Sequence, residues 1–344
     1  MSRNASAAFF GLVNLASARL GAAVLAVTDE FFAEASNLLS PREPVFDPER
    51  FTERGKWMDG WESRRRREPG HDHVTIRLGL PGRIRGLDID TSHFLGNHPA
   101  FASLEGCWWE GEHEAAPPPE DAPWQPLLAP SALRPGSHNL FAVSNDMRCS
   151  HVRLHIYPDG GVARLRVYGE VAPDPDALRG AQRLDLAALA NGARAVACSD
   201  MFFGDMQNLI WPGRAANMGE GWETRRRRGP GHDWVVVQLA GPGRIACAEI
   251  DTHHFKGNAP ARAALDALSL PEVSVVDLGL DRPLPWRELL PAVPLEPDTL
   301  HRYESELRPV APVTHVRLRI EPDGGVSRLR LWGRLVDADE ESGA

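Results

Sequence analysis

The sequence predicts an all-β fold of two tandem antiparallel β-sandwich domains of the jelly-roll type. Long motifs occur twice, about 160 residues apart, and this spacing is the size of a whole domain. Apolar and polar residues alternate in short segments between turns that contain Gly and Pro, which is typical of half-buried strands. Helical periodicity is scarce, with short candidates only at 181–190 and 262–268. A closed barrel is the alternative that this pattern leaves open.

Composition and charge exclude several classes of protein. The chain has 344 residues, of which 42% are hydrophobic and 25% charged, as in ordinary globular domains. Its formal net charge is −9, so we expect no nucleic-acid partner, because such binding needs a basic face that replaces counterions. No apolar run approaches the roughly 18 residues of a spanning helix, so we expect no membrane partner.

The duplicated motifs set the domain boundaries. Three pairs of segments match: 60–72 with 221–233, 90–97 with 251–258, and 150–170 with 314–334. In the first pair, 11 of 13 positions are identical. A Pro-rich polar linker separates the copies, which places one domain at 1–173 and the other at 174–344. The apolar start of the chain also recurs mid-chain, so we assign it to the first domain rather than to a targeting peptide and predict a cytoplasmic protein.

The strands of the first copy are predicted in chain order. Val74–Leu78 alternates apolar and polar residues, and Arg83–Asp90 follows after a Pro-Gly turn. Val152–Tyr157 places three apolar side chains on one face. Pro158–Gly161 has the composition of a tight turn, and Val162–Tyr168 after it completes a predicted hairpin. The second copy repeats this pattern.

The first candidate site is the motif W-E-[ST]-R-R-R-R, which is present in both copies of an acidic protein. If the arginines lie on a strand, Arg64 and Arg66 share one face and Arg65 and Arg67 the other. Two arginines on one face can bind a carboxylate bidentately. We therefore nominate the following as substrate-binding residues: Glu62, Arg64, Arg66, Glu223, Arg225 and Arg227.

A His-Asp pair follows each arginine run. Histidine titrates near neutral pH and acts as an acid or a base, and a nearby carboxylate can orient it. The structural alternative is a capping Asp with a hydrogen-bonded His in a turn. We nominate His71, Asp72, His232 and Asp233 as catalytic residues.

The motif D-T-x-H-F-x-G-N is the second candidate site. We nominate His93 and His254 as catalytic residues and the following as substrate-binding residues: Asp90, Asn97, Asp251 and Asn258. Carboxylate, imidazole and amide together suit proton transfer, and they also suit a divalent metal. The sequence requires no cofactor and allows such a metal, whose ligands stay unassigned. His138 and His301, at comparable positions, are secondary candidates.

These motifs together resemble the allantoicase family over nearly the whole chain, as two copies of the family's repeat. The resemblance rests on GKWMDGWESRRRR with GHD, on DIDTSHFLGN and on HVRLHIYPDGGVARLRVYG. It implies jelly-roll domains of the galactose-binding-like type. It also implies hydrolysis of allantoate to ureidoglycolate and urea in purine and allantoin breakdown, with allantoate as the small-molecule partner and a homo-oligomer as one option.

The predicted chemistry is general acid/base catalysis with arginine recognition of the substrate carboxylate. The competing hypothesis is a tandem carbohydrate- or ureide-binding module without catalysis, because a jelly roll does not fix a function. Retention of His71 and His232 fits either two independent sites or one site that needs both repeats. We expect the second case, in which removing either histidine abolishes most activity.

Overall fold

The computed structural model describes residues 9, 11–110, 115–270 and 284–336. The chain divides into two compact units, with the boundary between Ala172 and Pro173. We call the first unit repeat 1 and the second repeat 2. No helix in the described part of the chain is long and apolar enough to cross a lipid bilayer.

Repeat 1 is built from antiparallel strands joined by turns and short 3-10 helices. Its strands are β1 (Val13–Asn14), β2 (Ala23–Val27), β3 (Phe51–Thr52), β4 (Gly55–Lys56), β5 (Trp61–Glu62), β6 (Asp72–Asp90), β7 (Phe101–Cys107), β8 (Gln125–Ala132), β9 (His138–Ala142), β10 (Arg148–Tyr157), β11 (Gly161–Val162) and β12 (Arg164–Val171). The 3-10 helices are Ala18–Leu20 and Ala35–Leu39. The large sheet has the order β1-β12-β6-β10-β7-β8, and β2 and β9 also pair with β6.

Strand β6 organises the sandwich because it serves both layers. Its first half pairs with β2 and β10, and its second half pairs with β9 and β12. Val74 and Ile76 of the first half and Leu87 and Ile89 of the second half are buried in one core cluster. The two halves therefore face each other across the core, and the side chains between these positions point outward.

Repeat 2 has the same plan. Its strands are β13 (Leu184–Asp185), β14 (Arg194–Cys198), β15 (Trp222–Glu223), β16 (Asp233–Asp251), β17 (Arg262–Leu268), β18 (Arg287–Pro294), β19 (Leu300–Tyr303), β20 (Val313–Glu321), β21 (Gly325–Val326) and β22 (Arg328–Leu335). Its helices are α1 (Pro175–Gly180) and the 3-10 helices Leu189–Asn191, Met206–Ile210 and Met218–Glu220. The order β13-β22-β16-β20-β17-β18 matches that of repeat 1.

The predicted all-β fold of two tandem antiparallel sandwiches is confirmed. Among the described residues, the path of paired strands in each repeat has two free ends, at β1 and β8 and at β13 and β18. The closed-barrel alternative is therefore excluded, because a barrel has no edge strands.

Two predicted details are wrong. The strands flanking the Pro158–Gly161 turn form no hairpin among the described residues, since β10 pairs with β6 and β7 while β12 pairs with β1 and β6. The turn carries the chain from one layer to the other, and alternation within a strand does not reveal its partner. The helix candidate 262–268 is strand β17, which pairs with β18 and β20. The candidate 181–190 contains strand β13 and, at its end, the start of the 3-10 helix Leu189–Asn191.

The turn and the D-T-x-H-F motif lie against each other. Gly161 packs so closely on the buried ring of Phe94 that a Cβ atom would collide with it, and Gly325 and Phe255 repeat the contact in repeat 2. The ring of Phe94 thus requires glycine at this point of the turn. This contact brings the second candidate motif to the start of β12.

Candidate active site

The arginine run lies in a loop rather than on a strand, because β5 ends at Glu62 and β6 begins at Asp72. The Arg64 Nε–H donates to Asp29 Oδ2 (2.7 Å), and the Arg66 Nη1–H donates to Asp72 Oδ1 (2.8 Å). The alternation that we expected for a strand is therefore not the reason that these two side chains are engaged. Each is paired with an acid of its own repeat.

Repeat 2 reproduces these contacts. Arg225 pairs with Asp200, and Arg227 pairs with Asp233. The indole N–H of Trp222 donates to the Asp200 carbonyl, as that of Trp61 does to Asp29. Retention of the motif after duplication therefore has a structural explanation, since the same ion pairs brace the same loop twice. A substrate-binding role for these arginines stays a prediction.

Glu62 and Asn97 come from different motifs and meet in the structure. The Asn97 side-chain amide donates to Glu62 Oε1 (2.7 Å), and Asn258 donates to Glu223 Oε1 (2.6 Å) in repeat 2. Burial raises the pKa of Glu62, against the lowering effect of this hydrogen bond. The pairs join the short strand before each arginine run, β5 or β15, to the loop after the D-T-x-H-F residues.

His93 and His254 have left-handed backbones, with φ of 71° and 72°, which is uncommon for residues other than glycine. His93 Nε2 lies 3.1 Å from the Pro44 carbonyl oxygen, and His254 Nε2 lies 2.9 Å from that of Ala215. The His93 ring also stacks on Phe46. In this geometry each histidine contacts the backbone of a loop in its own repeat. A catalytic role for these histidines stays a prediction.

His71 and Asp72 face different surroundings although they are neighbours in sequence. Asp72 is buried and accepts hydrogen bonds from Thr28 and Arg66. His71 instead places Nε2 2.9 Å from His155 Nδ1 and packs its ring on Tyr157. The two side chains therefore do not act as an oriented pair here. In repeat 2, burial and then the charge of Arg319 lower the pKa of His232, while Asp233 accepts from Ser199 and Arg227.

A pocket of about 370 Å³ lies on the outer face of repeat 1, on the layer that contains the second half of β6. Asp88 and Asp90 point outward from β6 because the residues between them face the core. In the strand register, Arg166 on β12 lies opposite Asp88, and His138 on β9 lies opposite Asp90. The complete lining is Glu43, Asp88, Asp90, His138, Leu140, Arg166 and Tyr168.

The carboxylates of Asp88 and Asp90 in this pocket are buried, and each has one oxygen without a hydrogen-bond partner in the described structure. Asp88 and Asp90 are 4% and 1% exposed. Asp90 Oδ1 accepts from the Ser92 backbone N–H (2.8 Å), but Asp90 Oδ2 and Asp88 Oδ1 have no partner within the described structure. Since buried polar atoms are nearly always hydrogen-bonded, these oxygens are suited to a polar ligand.

Asp88 and His138 form a coupled acid–imidazole pair, with Asp88 Oδ2 2.7 Å from His138 Nδ1. Burial works to lower the pKa of His138, but the hydrogen bond and charge of Asp88 outweigh it and raise that pKa. Burial raises the pKa of Asp88 despite the histidine. His138 is thereby held in its protonated form to higher pH than a free histidine, while part of its side chain faces solvent.

Two arginines of β12 anchor the loop that covers the pocket. Arg164, 2% exposed, pairs with Asp59 and donates to the carbonyl oxygens of Asp59 and Arg42. Arg166 donates to the carbonyl oxygens of Ser40 and Arg42. Because a guanidinium has five N–H donors, Arg166 keeps donors for a ligand. These contacts place Glu43 at the rim.

Repeat 2 has a pocket of about 330 Å³ at the same place, with different chemistry. Arg214 stands where repeat 1 has Glu43. In the strand register, Leu300 rather than His301 lies opposite Asp251, whereas His138 lies opposite Asp90. The carboxylates also have other side-chain partners, since Asp251 Oδ1 contacts the His253 ring and Glu249 accepts from Arg302. The full lining is Gly213, Arg214, Glu249, Asp251, Leu300, Arg328 and Arg330.

Two groups of side chains in the described residues have ligand atoms within 4.8 Å of one another, the usual spacing around a metal ion. They are His71 with His73 and His155, and Glu43 with Asp90 and His138. In the first group, burial lowers the pKa of both His73 and His155. The second group lies in the pocket and includes two exposed side chains.

Sequence reasoning found some residues of the pocket and missed others. Asp90 and Asp251 were nominated, and His138 was a secondary candidate. Arg166 is missed because the sequence pattern around it predicts only a structural hairpin. The R-L-R pattern that recurs at Arg330 is a signal that could have identified it. Glu43 carries no such signal, because its counterpart is Arg214.

The duplicated fold and the paired pockets define a class, the tandem-repeat all-β proteins with a small-molecule-sized pocket in each repeat. A sequence model described as the allantoicase repeat matches residues 13–172 and again 184–336. The chain belongs to the allantoicase family, and the predicted resemblance is confirmed.

Relatives and solved structures agree with this membership. A Pseudomonas aeruginosa protein named "Probable allantoicase" is 51% identical over 95% of this chain and 97% of its own length. A Burkholderia pseudomallei protein named "Probable allantoicase 2" is 48% identical over 94% and 95% of the two chains. The crystal structure of allantoicase from Saccharomyces cerevisiae has a TM-score of 0.80 at 37% identity and covers 97% of this chain and 98% of its own.

Proposed function

We propose that the chain hydrolyses allantoate to ureidoglycolate and urea, a step of purine degradation, in the pocket of repeat 1. Family membership over both repeats supports the reaction. The observation that supports the location is the pair of buried, unpartnered carboxylate oxygens of Asp88 and Asp90 beside a histidine with a raised pKa.

Allantoate has a carboxylate and two ureido groups on one carbon. Release of intact urea requires that the bond from this carbon to one ureido nitrogen breaks. In our proposal, protonated His138 gives its proton to the leaving nitrogen, and Asp90 takes a proton from water as the water oxygen bonds to the carbon. Acid and base together balance the protons, and such catalysis contributes about 10²–10⁴-fold.

The remaining pocket residues suit recognition of this substrate. Arg166 has free N–H donors for the substrate carboxylate, a contact that arginine makes bidentately. Glu43 and the unpartnered oxygen of Asp88 can accept hydrogen bonds from ureido N–H groups. The pocket volume lies within the range of small-molecule sites.

The proposal is tested by the pH dependence of urea release from allantoate. We expect the purified protein to release urea and its activity to fall as the pH rises through the pKa of His138, because the acid must be protonated. In Asp88→Asn the hydrogen bond to a charged carboxylate is lost, so the pKa of His138 falls and the alkaline limb moves to lower pH.

The control is Glu249→Gln, the matching change in repeat 2, which should leave the limb in place. If the alkaline limb of the pH–rate profile stays in place in Asp88→Asn, His138 is not the general acid. Absence of urea release by the unmodified protein, with or without added divalent metal, would contradict the proposed reaction itself.

A further inference from the structure

We propose that His71, His73 and His155 of repeat 1 bind one divalent transition-metal ion. Their ring nitrogens lie within 4.8 Å of one another, and His71 Nε2 is 2.9 Å from His155 Nδ1. Neutral imidazoles in threes are a typical ligand set for Zn²⁺ and for Co²⁺ or Ni²⁺ in its place.

The Glu105 carboxylate contacts the second ring nitrogen of one proposed ligand, His155. Glu105 Oε2 lies 3.2 Å from His155 Nε2, so this nitrogen donates to the carboxylate and His155 Nδ1 presents its lone pair towards His71. Metal-bound histidines are usually held in this way, with the second ring nitrogen donating to a carboxylate. The His155 side chain is only 12% exposed, which fixes the ring in place.

In repeat 2, the side chain of Arg319 places a positive charge at the corresponding position. Arg319 replaces His155, Asp266 replaces Glu105 and Trp234 replaces His73. Arg319 Nε–H donates to Asp266 Oδ2 (2.7 Å), and Arg317, the counterpart of Arg153, donates to the same carboxylate. In repeat 1 the corresponding carboxylate, that of Glu105, faces the imidazole of His155 instead. A metal ion would supply there the positive charge that Arg319 supplies in repeat 2.

Arg153, the counterpart of Arg317, is paired with a carboxylate other than Glu105. Arg153 on β10 belongs to the same face, and its Nη1 lies 2.8 Å from Glu120 Oε2. The side chains of Tyr157 and Ser103 on this face are hydrogen-bonded to each other. The positive charge of Arg153 therefore does not replace the ion.

The site would join two strands of one layer. His73 lies on β6 and His155 on β10, whereas His71 lies in the loop that precedes β6. The group is on the layer of the first half of β6, and the catalytic pocket is on the layer of the second half. The metal is thus independent of the proposed acid and base, and we assign it a role in fixing the His71 loop on the sheet.

The test is metal stoichiometry measured on the full chain, which is stripped by chelation and dialysis and then reloaded with Zn²⁺ or Co²⁺. We expect one Zn²⁺ per chain by titration calorimetry and by elemental analysis after excess metal is removed, and a visible absorption spectrum of histidine-bound Co²⁺ with one equivalent of Co²⁺. Glu105→Gln should weaken binding by about 10–100-fold. His73→Ala should weaken it at least as much.

The matched variant His73→Trp with His155→Arg installs the residues of repeat 2, which the sheet accepts there, and should abolish binding. His232→Ala, the counterpart of His71 in repeat 2, should leave binding unchanged. Lack of Zn²⁺ and Co²⁺ binding by the unmodified protein would overturn the proposal. Binding that persists in both His73 variants would overturn it equally. Neither readout depends on allantoate, so failure here is distinct from failure of the proposed reaction.

Discussion

Replacing Asp90 with Asn is expected to lower kcat for urea release from allantoate by about 10²–10⁴-fold, the usual contribution of a general base. The amide has the shape of the carboxylate, and its oxygen can still accept from the Ser92 N–H. It cannot take a proton from water at the position of the unpartnered Asp90 Oδ2. The fold should therefore survive while the chemical step fails.

Asp251→Asn in repeat 2 is the matched control. Asp251 occupies the same strand position but accepts from His253, so we expect its replacement to change kcat only a few-fold. Circular dichroism and steady-state urea release on both variants give the comparison. An equal loss in the two would contradict a site in repeat 1 alone and would favour the shared requirement that we predicted from the retained histidines.

The second large effect is on stability. Replacing Arg164 with Met is expected to lower the free energy of unfolding of repeat 1 by about 3 kcal/mol, the scale of breaking a buried ion pair. The change leaves Asp59 without its cation and removes the Arg164 donors from the carbonyl oxygens of Asp59 and Arg42, of which Arg42 keeps only its contact with Arg166. The loop over the pocket then loses an anchor, so KM for allantoate should rise as well.

Arg64→Met is the control for this experiment. Its side chain is 63% exposed where it pairs with Asp29, and exposed ion pairs contribute about 0–1 kcal/mol. Urea unfolding followed by tryptophan fluorescence measures both variants. If Arg164→Met costs no more than Arg64→Met, the buried arginine does not hold the loop.

The fold was predictable from the sequence because its signals are local and repeated. The alternation of apolar and polar residues predicts strands β6, β10 and β12, and the duplicated motifs predict the two sandwiches. Partners between strands were not predictable in the same way. The segments around Pro158–Gly161 alternate as hairpin strands do, yet β6 pairs with both and separates them between layers.

The site was harder to predict because duplication preserves two kinds of residue alike. Arg66 with Asp72 and Glu62 with Asn97 recur as bracing pairs, and the sequence alone does not separate bracing from catalysis. Residues that differ between repeats carry the other part of the chemistry. Glu43 and His138 have Arg214 and Leu300 as counterparts, so a search for repeated residues passes over them.

The placement of the substrate is the central claim, and a crystal structure of Asp90→Asn with bound allantoate tests it most directly. The account predicts allantoate in the pocket of repeat 1, with its carboxylate on Arg166 and one ureido nitrogen within hydrogen-bond distance of His138. Allantoate bound only on the arginine run at Arg64–Arg67, or only in the pocket of repeat 2, would contradict it.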